Sequence, residues 1–295
     1  MADPEIAQIR AMLAARPRPA ELAERRRRLD ALGSQFGLPG DVATEAAAAG
    51  GVKAEWTATP GADPGRVLLY LHGGGYVSGS IASHRHMVAE AGRQAGIRTL
   101  ALDYRLAPED PFPAGLEDAM AGYRFLLDSG IAPGRIAIGG DSAGGGLTLA
   151  LLVSLRDEGL PLPGCAWVVS PWIDLEQLGE SMASLAAVDP MIQGPYLGEI
   201  ARAYLNGADP RTPLAAPLHA ELRGLPPLLI QVGAAEVLLD DSVRLAARAG
   251  AADVAVTLEV WPEMIHVWHL FHPVLAAGRR ALAGAGRFLR EGLAG

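Results

Sequence analysis

Arg135-Ile136-Ala137-Ile138-Gly139-Gly140-Asp141-Ser142-Ala143-Gly144-Gly145 is the stretch that decides how this chain folds. Arg135 to Gly139 reads as a strand, and the residues from Gly145 to Leu155 read as a helix. Between them Gly140-Asp141-Ser142-Ala143-Gly144 matches G-x-S-x-G. The pattern alone is weak, because glycine and serine are common here. Its setting strengthens it. A sharp strand-to-helix turn is strained, glycines on both sides let the backbone pass closely, and the turn lifts a serine oxygen above the sheet. The N-terminus of the helix behind it favours negative charge. An ordinary glycine-rich turn is the rival reading, and the flanking sequence argues against it.

Short apolar runs alternate with helical patterns on both sides, the signature of βαβ units and a mostly parallel sheet. Upstream, 66–71 reads as a strand, 86–94 as helical, 97–104 as a strand and 113–127 as a helix. Downstream, 166–170, 228–232 and 254–260 read as strands, and 237–247 and 273–289 as helices. Residues 53–56 are a candidate early edge strand. Two segments do not fit the sheet: the helical, Arg-rich stretch to about Gly40, and Gln177 to Asn206. Ile6, Ile9, Met12, Leu13, Leu22, Leu29 and Leu32 form an apolar stripe in the first of these, which needs a surface to pack against. Both segments are expected to form a lid on a single domain, over the C-terminal ends of the strands where open α/β sheets bind ligands.

His72-Gly73-Gly74-Gly75-Tyr76 follows the 66–71 strand. Acyl transfer builds an oxyanion, which free backbone N–H groups stabilise. A phosphate loop is excluded, since no G-K-[ST] follows. Ala143, directly after Ser142, is expected to supply a further N–H. A serine hydroxyl also needs a base. Of the seven histidines, His72 is expected to brace its loop, and His84 and His86 to lie on the surface or lid. His219 sits in a Pro-rich stretch, and His269 and His272 have no required partner. His266 lies just beyond the 254–260 strand and the turn Trp261-Pro262-Glu263, which suits the order Ser, acid, His. The acid that orients it should follow the 228–232 strand. Glu236 is nearest the strand end; Asp240 is about one helical turn further, where capping is the ordinary role. Glu236 is the choice.

Composition narrows the function classes. The chain has 295 residues, half of them hydrophobic and a fifth charged, which suits one globular α/β domain. A formal net charge of -8 argues against nucleic acid or an anionic membrane surface as partner. The run Arg25-Arg26-Arg27-Arg28 reads as a solvated helix face among Glu21, Glu24 and Asp30. Cys165 is the only cysteine, so no internal disulfide forms. No apolar signal core and no long uninterrupted apolar stretch occur, so the expected location is the cytoplasm, without membrane insertion.

Four stretches together resemble the hormone-sensitive lipase family of bacterial esterases: His72-Gly73-Gly74-Gly75, Asp103-Tyr104-Arg105-Leu106-Ala107-Pro108-Glu109, Gly140-Asp141-Ser142-Ala143-Gly144-Gly145, and the segments holding Glu236 and His266. The likeness spans about residues 65 to 290. It implies an α/β-hydrolase fold, with an eight-stranded sheet flanked by helices and a helical lid. It implies a triad of Ser142, Glu236 and His266, and oxyanion donors on Gly74 and Gly75 alongside Ala143. The 103–109 stretch is structural in that family. The family usually has Asp at the position of Glu236; Glu is a tolerated variant, and its spacing to His266 fits. Short-acyl ester hydrolysis without cofactor or metal follows from the resemblance, as does a possible homodimer. A lactone hydrolase or deacetylase with the same triad is the alternative, and a non-catalytic ligand receptor on this fold is a third. Tyr76, Trp172, Met191 and Tyr196 are candidate substrate-pocket walls, with core packing as the other reading of each.

Overall fold

In the computed structural model, which describes residues 3–294, the apolar runs alternate between two buried clusters. Along the central strand Val67, Leu69 and Leu71 join one cluster, while Leu68 and Tyr70 join the other. That period of two, apolar on both faces, marks strands covered by helices on each side. The strands are β1 (Ala43–Ala49), β2 (Val52–Ala58), β3 (Asp63–Leu71), β4 (Ile97–Leu102), β5 (Ile136–Asp141), β6 (Cys165–Val169), β7 (Leu228–Gly233) and β8 (Val256–Trp261). They form one eight-stranded sheet in the order β1-β2-β4-β3-β5-β6-β7-β8. Strands β3 to β8 run parallel, and β2 is antiparallel to both its neighbours. The fold is thus the expected α/β-hydrolase architecture.

The helices are α1 (Pro4–Ala14), α2 (Leu22–Ser34), α3 (Ile81–Ala95), α4 (Ala114–Asp128), α5 (Ala143–Asp157), α6 (Ser181–Ser184), α7 (Gly194–Leu205), α8 (Leu239–Ala251) and α9 (Ala276–Gly292). Helices α4, α5 and α8 cover the Val67 face through Tyr123, Leu149 and Leu245. Helices α3 and α9 cover the other through Met87 and Leu282. Pro17 and Pro19 lie between α1 and α2, which splits the N-terminal stretch into two helices. Asp3 caps α1, accepting from Glu5 N at 2.9 Å. Ile6 and Ile9 of α1 join the α3/α9 cluster, and α2 packs on α3. No helix among the described residues is long and apolar enough to cross a membrane.

One strand has no counterpart in the pattern read from the sequence. The edge strand is β1, an alanine-rich segment paired with β2 through the turn at Gly50 and Gly51. Both glycines have positive φ, 61° and 90°, as a tight two-residue hairpin turn requires.

Candidate active site

Ser142 stands between the end of β5 and the start of α5, with φ 54° and ψ −122°. A non-glycine residue there carries strain of about 1–3 kcal/mol, held only where its surroundings fix it. Here its N–H donates to Val169 O at 2.8 Å, and its carbonyl accepts from Trp172 N at 2.9 Å and Gly146 N at 3.1 Å. Gly144 has to be glycine, because a Cβ there would run into the Leu71 carbonyl oxygen.

The loop after β3 lies beside this turn. Gly74 has φ 122°, and a Cβ there would collide with the Ser78 carbonyl oxygen. Gly73 N donates to Asp141 Oδ1 at 3.0 Å, so that N–H is engaged. Among the described residues the N–H groups of Gly74, Gly75 and Ala143 find no protein acceptor. The loop is braced as expected by His72. Its ring stacks on Tyr104 with centroids 4.3 Å apart, its Nδ1 lies 2.8 Å from Gly73 O, and Tyr104 OH donates to His72 O at 2.7 Å. Burial pushes the His72 pKa down to about 4, so this ring is neutral near neutral pH.

His84 and His86 do not lie on the surface; both are buried. His84 Nε2 is 3.2 Å from Asp141 Oδ2, and Tyr70 OH donates to Asp141 Oδ1 at 2.8 Å. His86 Nε2 is 2.8 Å from Leu270 O. The helical spacing that marks them as part of α3 is real, but their side of α3 looks inward.

The fully buried Glu236 follows β7. Its Oε1 accepts from Gly233 N at 2.7 Å and from Ser170 Oγ at 2.8 Å, and its Oε2 lies 2.6 Å from His266 Nδ1. A carboxylate in this role only accepts, so the His266 proton sits on Nδ1 and Nε2 keeps its lone pair. Burial disfavours the imidazolium. The Glu236 charge and hydrogen bond, with Asp189 and Asp141 behind them, outweigh it, and the His266 pKa is raised above 6.5. Asp240 is occupied elsewhere: its Oδ2 accepts from Ser181 N at 2.8 Å.

Three contributors have no place in the sequence reading. Asp141 pins the glycine loop. Ser170, with φ 46°, donates to Glu236 and accepts from Val267 N at 3.2 Å, tying the acid to the residue after His266. Asp189 accepts from Met191 N at 2.8 Å, Ile192 N at 2.9 Å and Val237 N at 2.9 Å, joining the 177–206 segment to the acid's loop. The Asp-Pro pair at 189–190 is a turn signal; the other two carry no local signal.

Ser142, His266, Gly74 and Gly75 line one cavity of about 630 Å³. Its upper walls come from the N-terminal helices (Met12, Leu13, Leu29, Leu32) and from Met191, Tyr196 and Ile200. Met191 and Tyr196 therefore stand where a wall was expected. Tyr76 and Trp172 do not: both are buried behind the loop, Tyr76 stacked on Tyr204 with centroids 3.8 Å apart and tilted against Trp172 at 5.8 Å. These rings pack in the core beside the glycine loop, outside the lining of the cavity.

The arginine run also departs from its expected role. Arg27 and Arg28 pair with Glu24 on the same helix. Arg25 instead binds Glu199, Pro19 O and Ala20 O, and Arg26 binds Glu109, Val77 O and Ala107 O. These two clamp α2 to α7 and to the 77–109 loops.

The chain as a whole has relatives among known proteins. A family described as alpha/beta hydrolase fold matches residues 68–270. An acetyl-hydrolase of Streptomyces hygroscopicus is 49% identical over 98% of this chain and 97% of its own length. An esterase of Acinetobacter venetianus is 33% identical over 80% of this chain and 77% of its own. A crystal structure of an esterase from the bacterial hormone-sensitive lipase family superposes with TM-score 0.97, at 48% identity over 99% of each chain. The esterase EstE5, soaked with p-nitrophenyl butyrate, superposes with TM-score 0.96 at 48% identity over all of both chains. The chain belongs to the alpha/beta hydrolase family, within the esterases of the bacterial hormone-sensitive lipase type.

Proposed function

We propose that this chain cleaves short-acyl carboxylic esters through a covalent acyl-serine on Ser142, with His266 as base and Glu236 as the acid that orients it. The observation that carries this reading is the 2.6 Å contact between Glu236 and His266, buried against the cavity that Ser142 also lines. His266 Nε2 takes the hydroxyl proton as Ser142 Oγ attacks the ester carbonyl. Negative charge then gathers on the carbonyl oxygen, and the N–H groups of Gly74, Gly75 and Ala143 are its donors. His266 passes its proton to the leaving alcohol, and a water activated by the same ring releases the acid. The raised His266 pKa lets the ring hold the proton between these steps.

The cavity favours a second, finer reading. A volume of about 630 Å³ falls in the range that holds a drug-sized ligand, well beyond a small acyl group. That room suits removal of an acetyl group from a larger alcohol, in keeping with the acetyl-hydrolase likeness. A burst of p-nitrophenol from p-nitrophenyl butyrate tests the covalent step. Wild type should release about one equivalent rapidly before steady state wherever deacylation is slower, and Ser142→Ala should lose several orders of magnitude in kcat while staying folded. Folded Ser142→Ala protein with near wild-type rates would overturn the proposal.

A further inference from the structure

Four arginines, Arg16, Arg18, Arg25 and Arg28, line the same cavity as Ser142. Among the described residues the one carboxylate in its lining is that of Asp141, which is buried and held by Tyr70, Gly73 and His84. The chain as a whole carries a net charge of -8. A cationic mouth on an acidic protein concentrates field lines at one opening.

The arginines of this region divide into two kinds. Arg10 bridges α1 to Val188 O and Glu263 O, and Arg25 and Arg26 direct their guanidinium groups to carbonyls and carboxylates across the helix interface. These are structural clamps. Arg16 and Arg18 are different. Among the described residues neither has a carboxylate within salt-bridge distance, and the Arg16 side chain has no hydrogen-bond partner. Arg18 reaches to the opposite wall, donating through Nη2 to Met191 O, and its guanidinium lies 3.5 Å from the centroid of the Tyr196 ring. The ring and the carbonyl fix the plane of the fork; among the described residues Nε, Nη1 and the second Nη2 hydrogen have no partner, so one of the two paired edges, each of which includes Nη2, stays open. A planar fork with an open edge matches a carboxylate or phosphate oxygen pair.

We infer that the substrate carries an anionic group, a carboxylate or its equivalent, several bonds from the scissile ester, held at the cavity mouth by Arg18 with Arg16 beside it. This rests on the ester-hydrolase reading above and narrows its substrate class. The catalytic floor handles the ester, and the arginine mouth selects molecules whose far end is charged.

Two matched pairs of esters test it, each differing only in a terminal carboxylate against a methyl group. One is 6-acetoxyhexanoate against hexyl acetate, with the anion on the alcohol side. The other is monoethyl adipate against ethyl hexanoate, with the anion on the acyl side. The readout is the ratio of kcat/KM, charged over neutral. For at least one pair the ratio should fall about tenfold in Arg18→Met, fall less in Arg16→Gln, be largely kept in Arg18→Lys, and decline with added salt. Ratios that stay within about twofold of wild type in both Arg18→Met and Arg16→Gln, for both pairs, would overturn the inference. A wild type that hydrolyses neither member of either pair would remove the hydrolase reading first, and this one with it.

Discussion

The floor and the roof of the cavity are built by different means. The floor consists of turns at the ends of β3, β5, β6, β7 and β8, and every group there is buried and held by neighbours: Ser142 by three backbone hydrogen bonds, Glu236 by Gly233, Ser170 and His266, the glycine loop by Asp141 and His72. The roof consists of α1, α2 and the 177–206 segment, fastened by arginine side chains to backbone carbonyls and exposed carboxylates. Exposed ion pairs contribute about 0–1 kcal/mol each, while a buried hydrogen-bonded network is far stiffer. On the proposed function, the floor would carry the chemistry and the roof the choice of substrate. Asp189 and Ser181 are buried stitches between the two.

The comparison breaks first at the floor. His266→Ala should lower kcat about 10⁴-fold or more while the protein stays folded, measured by initial rates and a melting curve. Next, Glu236→Gln should cost about 10²–10⁴ in kcat, and Asp240→Asn far less. The Glu236 variant also removes the charge that raises the His266 pKa, so its acid limb should move to lower pH. In wild type, His266 must be neutral to accept a proton, so kcat/KM should fall as pH drops through a value above 6.5. A limb at or below 6.5, or a Glu236→Gln limb that does not move, would separate Glu236 from the base. Ser170→Ala should lower kcat about tenfold with KM nearly constant, because Glu236 loses one donor and Val267 N its acceptor. A roof variant should behave differently. Met191→Trp narrows the cavity and should raise KM for bulky esters more than for methyl acetate, a shift of about tenfold in relative kcat/KM.

The smallest effect is on stability. Burial lowers the pKa of His72 and His86 to about 4 and that of His269 to about 3. The folded state keeps these rings neutral while the unfolded chain takes up protons near 6.5. Their contribution is therefore present above pH 6.5 and lost as pH falls toward the folded values. His266, whose pKa is raised, works in the opposite direction. The gain from His266 comes as pH falls from its raised value to about 6.5, so below that the buried rings govern and the melting temperature should drop between pH 6.5 and 5; a flat or rising melting temperature over that range would show that these rings are not held neutral in the fold.

Much of the floor can be read along the chain, because the residues involved sit at fixed places relative to strand ends. The G-x-S-x-G turn, the glycine loop, Glu236 after β7 and His266 after β8 follow from local pattern and order. What cannot be read depends on contacts across the fold. Nothing near Ser170 says that its hydroxyl meets Glu236, 66 residues on. His86 is turned inward by the 268–272 segment packing on α3, and His84 by Asp141, Tyr70 and His72 at the strand ends. β1 escapes the pattern because the alanines at positions 46–49 favour helix by propensity, although Gly50-Gly51 carries a hairpin signal. The arginine run looks solvated because its partners, Glu109 and Glu199, lie far along the chain.

The proposed chemistry requires that Ser142 is the residue acylated and that the floor activates it. Labelling with diethyl p-nitrophenyl phosphate, followed by peptide mapping by mass spectrometry, tests this most directly. One diethylphosphoryl adduct is expected, on the peptide carrying Ser142, forming in step with loss of esterase activity and strongly slowed in His266→Ala. An adduct on another residue, or full inactivation with Ser142 unmodified, would contradict it.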